Sequence, residues 1–483
     1  MPPDRRRGGD RPRLLVVGNG MSTDRLLDEL AVRDALGSFA VTIVGEEPGV
    51  AYNRIQLSRV LAGAPAEEVA TKAPGWYREQ GICLIDGRWL QRLDTVTRQG
   101  DIGDGERVAY DLAVLATGSS PVIPPVGGLR GRGAALARGV HTLRTMEDCL
   151  ALRDETGTGG PARQVVVVGG GLLGLEAAKV LCDLGHHVTV VHPSDTLLNA
   201  QLDELGGAFL RRAIEALGIA VVTGRVETAL CRQSGVEALL LADQRVLPAD
   251  TVLFTTGVRP RIDAAAASGI VVDRGIVVDD HLASSAPGVW AIGECAEHDG
   301  KVVGLVAPCW DHAAVVADQL AGTNPAARYR PTPSFARLKV AGVEVTSMGA
   351  VDPAEGDEVL QTIEERREVY RKLVIREGRL AGAVLVGDPD HGASLVRVFE
   401  RAEPLPPNRV DLFCTVDAFA SAPGAADLCN CNRVSEATVN DAIAAGSGTV
   451  EEIARATRAG TGCGSCVGQI RRLLDDAPAL SVA

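Results

Sequence analysis

Gln164-Val165-Val166-Val167-Val168-Gly169-Gly170-Gly171-Leu172-Leu173-Gly174 is the stretch on which the reading of this chain turns. The four valines read as an apolar strand that runs straight into glycine. Leu175 to Leu184 then has helical spacing, Gly185 stops it, and Val188 to Val191 reads as the next strand. Gly169, Gly171 and Gly174 stand in the register that a dinucleotide-binding strand–turn–helix requires. Such glycines allow a tight turn, close backbone approach to a pyrophosphate, and close packing of helix on strand. His192 occupies the place where an acid would select an unphosphorylated ribose, and no arginine cluster follows, so NADH and NADPH both stay open.

The same pattern occurs earlier. Arg13 to Val17 reads as a short strand ending in Gly18-Asn19-Gly20-Met21-Ser22-Thr23, and a helical pattern starts at Leu26 and Leu27 with Ser22, Thr23 or Asp24 to cap it. A strand at Val41 to Val44 leads to Glu46, placed to accept from a ribose hydroxyl. Thr23 stands where the third glycine would be, at the position that serves packing rather than phosphate contact. Leu112 to Gly118 is an apolar strand ending in Ala-Thr-Gly, and Val252 to Gly257 echoes it. Two glycine loops, each followed by a strand-Thr-Gly, form an internal repeat, and two dinucleotides in one chain suggest a flavin that takes hydride from a nicotinamide. Gly288 to Cys295 reads as a short strand ending at Glu294, and Pro308 to Leu320 as a helix. A helix start facing a flavin pyrimidine would stabilise the reduced anion by up to about 2 kcal/mol.

Composition agrees with this class. The 483 residues suffice for three or four cores, and 46% hydrophobic with 23% charged residues is globular. A net charge of −13 argues against nucleic acid and anionic membranes. No run of about 18 apolar residues predicts a span, and the basic N-terminus lacks an apolar segment of signal length. Seven of the eleven cysteines stand singly, Cys83 and Cys182 among them, and read as buried small hydrophobes of a cytoplasmic protein.

Gly18 to Met21, Tyr52-Asn53-Arg54 with Leu57-Ser58, Gly169 to Gly174 with Leu175-Glu176, Arg274 to Asp279, and Ile292-Gly293-Glu294-Cys295 carry a resemblance. Residues 13 to about 322 resemble the two-dinucleotide-fold (Rossmann-like, glutathione-reductase-type) flavoprotein reductases. Within them they resemble the reductase part of NAD(P)H nitrite reductase large subunits and the electron-transfer subunit of assimilatory nitrate reductase. The resemblance implies FAD on Gly18, Gly20, Met21, Glu46, Arg54, Thr117, Gly118, Gly293 and Glu294. It implies NAD(P)H on Gly169, Gly171, Leu173, Gly174, His192 and Gly257, with the nicotinamide passing Glu176, a candidate catalytic residue. Many relatives carry a lysine beside the flavin just after Leu-Ser; Arg59 stands there and is the other catalytic candidate. No Cys-x4-Cys follows the first loop, so electrons are expected to leave the flavin by a route other than a thiol pair.

Cys429-Asn430-Cys431 and Cys463-Gly464-Ser465-Cys466 offer that route. Structural zinc also uses four cysteines, but Cys-x-Cys is tighter than its usual spacing. A Cys463–Cys466 redox disulfide would leave the first pair unexplained. A [2Fe–2S] cluster uses all four and suits a flavoprotein, converting two-electron hydride into single electrons. Leu428 to about Leu474 also resembles the bacterioferritin-associated-ferredoxin type of [2Fe–2S] domain. Between the pairs, Ser435 to Ala445 reads as one helix, Thr449 and Glu452 form a capping box for a second, and a third follows Cys466.

The expected architecture is α/β. It comprises a tail (1–12), a discontinuous FAD-binding domain (13–125 and 250–322), an NAD(P)H-binding domain (140–249), a small α+β domain (325–405), a linker (406–424) and a small helical [2Fe–2S] domain (425–476). The expected function is oxidation of NADH or NADPH with electrons passing through FAD and the cluster to a redox partner, by resemblance a nitrate or nitrite reductase catalytic subunit. Nitrite reductase large subunits continue into a sirohaem and [4Fe–4S] module, so a chain stopping at Ala483 is not expected to reduce nitrite alone. The competing readings are an NAD(P)H oxidase, or an iron-release reductase, with a zinc- or cluster-bearing docking tail.

Overall fold

The computed structural model describes residues 11–129, 136–157, 160–233, 235–331, 335–340, 343–414, 427–429, 432, 434–462, 464 and 466–476. Its first sheet has five parallel strands in the order Val289–Ala291, Leu112–Leu115, Arg13–Val17, Ala40–Gly45, Cys83–Asp86. The chain starts in the middle and builds outward both ways, so the strand order reverses beside Arg13–Val17. That reversal opens a crevice at the carboxyl ends of the strands, where ligands bind in sheets of this kind. Leu14, Leu15, Val16, Ala113 and Val114 are fully buried, as the apolar runs require.

The second sheet repeats the plan with five parallel strands, Ala220–Thr223, His187–His192, Gln164–Val168, Thr251–Phe254 and Val140–Thr142. The helices Met21–Val32 and Leu172–Asp183 follow the two glycine turns. An antiparallel pair, Ser119–Pro121 with Val258–Pro260, joins the two units.

Beyond the helix Val306–Ala321 comes a five-stranded antiparallel sheet covered by the helix Gly392–Arg401. Its buried face reaches the second unit through Asp203, the cap of the helix Glu204–Ala216: Tyr370 Oη donates to Asp203 at 2.6 Å and Lys372 Nζ at 2.9 Å. Phe209 stacks on Tyr370 at 5.7 Å between centroids. The last segment is three helices, Glu436–Ala444, Val450–Thr457 and Val467–Asp476, around Val439, Ile453 and Ile470. Ser435 caps the first, and Thr449 with Glu452 forms the expected capping box on the second.

Five expectations need correction. The strand Thr251–Phe254, expected in the FAD-binding part 250–322, belongs to the second sheet, between Gln164–Val168 and Val140–Thr142. No side chain caps the helix Met21–Val32, which starts at Gly20. Ser22, Thr23 and Asp24 lie past that start, inside the first turn. Cys83 is exposed and Cys182 half-buried, so only Cys149, Cys295 and Cys309 of the described single cysteines behave as core. The expected tail ends too late, because Ala40 N donates to the Pro12 carbonyl; residues 1–10 lie outside the described residues. Part of the expected linker packs: Leu412 is buried against the small sheet, and Asp411–Cys414 is helical, while 415–424 lie outside the described residues.

Candidate functional site

The first glycine loop is shaped by its neighbour. Gly18 has φ +107°, and a Cβ there would lie 2.1 Å from the Ala116 carbonyl oxygen, so only glycine lets the turn close on the adjoining strand. A Cβ at Gly20 would meet nothing within 4 Å, so that side of the loop is open. An uncapped helix N-terminus facing open space is a fit for a pyrophosphate. Thr23, in the third glycine's place, is buried and donates to the Gly18 carbonyl at 2.6 Å, tying helix to turn by a hydrogen bond instead of by close packing. Asp24 turns to Lys72 at 3.2 Å. Met21 is the first residue of the helix.

The second loop has the same form with its third glycine kept. A Cβ at Gly174 would lie 2.1 Å from the Gly169 carbonyl oxygen, one at Gly169 (φ +122°) 2.5 Å from that of Thr255, and one at Gly171 in open space. Leu173 is exposed at this mouth. His192 belongs to the loop's support: Gly170 N donates to its Nδ1 at 3.1 Å, and burial lowers its pKa, which keeps the ring neutral. Glu176, in the first turns of the helix, is pushed up by burial to about 7, with no hydrogen-bond partner among the described residues.

The strand ends converge between the two loops. Thr117 Oγ1 donates to the Arg261 carbonyl at 2.7 Å, Arg261 N to the Gly118 carbonyl at 2.9 Å, and the Arg261 guanidinium pairs with Glu46. Gly118 and Gly257 both have positive φ. Ser119 Oγ donates to Glu294 at 2.8 Å and Arg144 pairs with the same carboxylate. Arg54 donates to the Arg144 carbonyl and pairs with Glu47 at 2.7 Å, so Arg54, Arg144 and Glu294 form one chain of contacts. Gly293 N donates to His312 Nδ1 at 3.2 Å, on the helix Val306–Ala321, and burial brings that imidazole down to about 3. This bond ties the second turn of that helix to the Gly293–Glu294 turn.

Sequence reasoning missed Glu47, Arg144 and Arg261. Glu47 accepts from Tyr52 Oη at 2.7 Å and from Met146 N at 3.2 Å, where the second unit begins its first helix. Its only sequence signal is that it follows Glu46. Arg59 is not brought to this network: it is half-exposed and paired with Glu68 at 3.1 Å and Gln56 at 2.8 Å. Cys295 and Cys309 lie near Glu294, but both are buried, and desolvation raises both thiols well above the ordinary range. Such thiols stay protonated and unreactive.

Of the four clustered cysteines, Cys429 and Cys466 are buried in one small core; Cys431 and Cys463 lie outside the described residues. Asn432 Nδ2 lies 3.7 Å from Cys429 Sγ, a donor of the kind that surrounds a thiolate centre. This segment meets the first unit directly: Asn53 Nδ2 donates to the carbonyls of Thr461 at 2.7 Å and Gly462 at 2.9 Å.

Residues 12–314 match the pyridine nucleotide-disulphide oxidoreductase family. The chain belongs to that family. Its members' fold accounts for both glycine loops, and membership implies FAD and NAD(P)H, for which the open, uncapped loops are suited. Residues 334–402 match the rubredoxin NAD+ reductase C-terminal domain, and 428–476 the BFD-like [2Fe-2S] binding domain, which implies a cluster rather than a structural zinc. The chain is 33% identical over 469 residues to the assimilatory nitrate reductase electron transfer subunit of Bacillus subtilis (strain 168), covering 96% of this chain and 59% of that one. It is 35% identical over 482 residues to the nitrite reductase (NADH) large subunit of Escherichia coli (strain K12), covering 96% and 55%. The chain thus spans little more than half the length of these relatives. Among solved structures, the covalent putidaredoxin reductase–putidaredoxin complex superposes with a TM-score of 0.74 at 23% identity over 85% of this chain and 100% of that one, a likeness of fold.

Proposed function

We propose that this chain oxidises NADH or NADPH and delivers the electrons, through FAD and a [2Fe–2S] cluster, to a partner reductase in the cytoplasm. By likeness to its relatives that partner is the catalytic part of a nitrate or nitrite reductase. The observation that carries the reading is the pair of hydrogen bonds from Asn53 to the Thr461 and Gly462 carbonyls, immediately before Cys463 in sequence. A docking tail without an electron-transfer role has no need of that contact with the first glycine-loop unit. The absence of a helix long and apolar enough to cross a membrane, among the described residues, is compatible with this placement.

When bound, FAD would supply a hydride acceptor for the nicotinamide and the cluster a one-electron carrier. The residues do the rest. Gly18 and Gly20, and Gly169 and Gly171, open the two helix starts to pyrophosphates. Glu46 and Glu294 would accept from the flavin's hydroxyl groups once Arg261 and Arg144 give way. Glu176, half protonated near pH 7, would lie beside the nicotinamide without adding a full negative charge there. Cys429, Cys431, Cys463 and Cys466 would ligate the cluster, and Asn432 would donate toward the Cys429 sulfur.

The test is anaerobic titration with NADH. The holoprotein should bleach in both flavin and iron–sulfur bands. Cys429→Ser and Cys466→Ser should lose iron and the reduction of a one-electron acceptor such as cytochrome c, while NADH–ferricyanide activity persists. Zinc in place of iron by elemental analysis, or undiminished cytochrome c reduction in the variants, would sink the proposal.

A further inference from the structure

Two sets of contacts, far apart in sequence, fasten the cysteine-bearing segment to the first nucleotide-binding unit. The first is Asn53, 3% exposed. Its Oδ1 accepts from Ile55 N at 3.1 Å, capping the turn Arg54–Gln56, while both hydrogens of Nδ2 go to the Thr461 and Gly462 carbonyls. Only the amide offers one acceptor and two donors in that arrangement; an aspartate would keep the cap and face two carbonyls with an oxygen.

The second set is centred on Glu29, 8% exposed on the helix Met21–Val32. Its carboxylate takes Arg25 at 2.8 Å, Arg33, and from the other side Arg458 at 3.1 Å. Arg25 also donates to Asn432 Oδ1 at 3.0 Å. Asn432 Nδ2 in turn donates to the Arg458 carbonyl at 2.7 Å and to Thr461 Oγ1 at 3.0 Å. Glu29 offsets the mutual repulsion of Arg25 and Arg458, while Arg33 also pairs with Asp318 at 2.8 Å.

Arg458 closes the helix Val450–Thr457 with φ +66°, a left-handed conformation that glycine adopts without strain and arginine does not. Its guanidinium pairs with Glu29.

We propose that Asn53, Glu29 and Arg458 are positioning residues forming a two-point clamp. They hold the segment that carries the cysteines against the first unit, so that the separation of the two redox sites is set by the fold and not by a free tether. The clamp rests on the electron-transfer reading above but is tested separately from it.

The experiment uses the full-length holoprotein and the variants Asn53→Asp, Arg458→Gly and the double variant. Arg458→Gly favours the left-handed turn while removing the guanidinium. Hydrogen exchange of the amides in 21–33 and 458–462 reports docking, iron content reports the cluster, and stopped flow reports reduction of the cluster by NADH. Exchange on both surfaces should rise about tenfold in Asn53→Asp and about threefold in Arg458→Gly, as expected for lost hydrogen bonds to carbonyls and a half-buried ion pair. The double variant should show about the product. Iron content and the NADH–ferricyanide rate of Arg458→Gly should not change, while its cluster reduction slows. Unchanged exchange in the double variant overturns the clamp, as does slower exchange in Arg458→Gly, which would make Arg458 a helix end and nothing more. If NADH fails to reduce the wild-type cluster while the exchange result holds, the clamp stands and the electron-transfer reading falls.

Discussion

Replacing Glu176 by glutamine should make the protein less sensitive to alkaline pH. Only burial acts on this carboxyl, moving it from the ordinary 4.5 to about 7. A raised acid contributes stability that is complete below 4.5 and is lost as pH climbs through about 7. At about 1.4 kcal/mol for each pKa unit the full loss is about 3 kcal/mol. About 2.5 kcal/mol of it falls between pH 5 and pH 8. Glutamine has no proton to lose, so the difference in thermal midpoint between Glu176→Gln and wild type should shift in the variant's favour by about 5–10 °C from pH 5 to pH 8. Circular dichroism melts at the two pH values, without added nucleotide, measure it. A difference that is the same at both pH values would mean that Glu176 is ionised in the folded protein and that the burial argument is wrong.

Two alanines separate cradle from scaffold. Gly20→Ala adds a methyl to open space, so the apoprotein should melt as wild type while FAD affinity, followed by flavin fluorescence, falls about tenfold or more; unchanged affinity would remove the loop from the flavin site. Gly174→Ala drives a methyl into the Gly169 carbonyl and should cost about 3–5 kcal/mol in urea unfolding, with or without ligand. Tyr370→Phe removes a 2.6 Å hydrogen bond to Asp203, a carboxyl that burial raises but that Tyr370 and Lys372 hold below the ordinary range. Stability from a depressed acid is present above its ordinary pKa and lost as pH falls, so the variant's acid unfolding should begin at higher pH, with about 1–2 kcal/mol lost at neutrality. An unmoved acid limb would show that Asp203 is not the joint between the small sheet and the second unit.

What the sequence disclosed was what is written locally. The valines before Gly169, the glycine register and the Thr449–Glu452 box are each contained within a dozen residues, and the structure realises them in place. Thr23 misled in a small way, because a hydroxyl bonding to Gly18 can substitute for a missing glycine and leaves no periodic mark. Arg59 misled further: its place after Leu-Ser suggested the flavin, but Glu68 holds it at the surface. Arg144 and Arg261 could not be read, since each reaches a carboxylate, Glu294 or Glu46, across a turn whose geometry only the fold defines. Asn53 and Arg458 were hidden for the same reason, with partners about four hundred residues away along the chain.

The order of the first sheet has a consequence for synthesis. Its outer strand, Val289–Ala291, pairs with Leu112–Leu115, and all five strands of the second sheet lie between them in the chain. A ribosome adding about 5–20 residues per second needs on the order of ten to thirty seconds to make that interval. During it the outer edge of Leu112–Leu115 has no neighbour, while the second sheet has every strand it needs once Phe254 is made. The later-made unit can therefore consolidate before the earlier one, and a nascent chain halted short of Val289 would expose a buried-type apolar strand with an open edge, the kind of surface that chaperones hold and aggregates grow from.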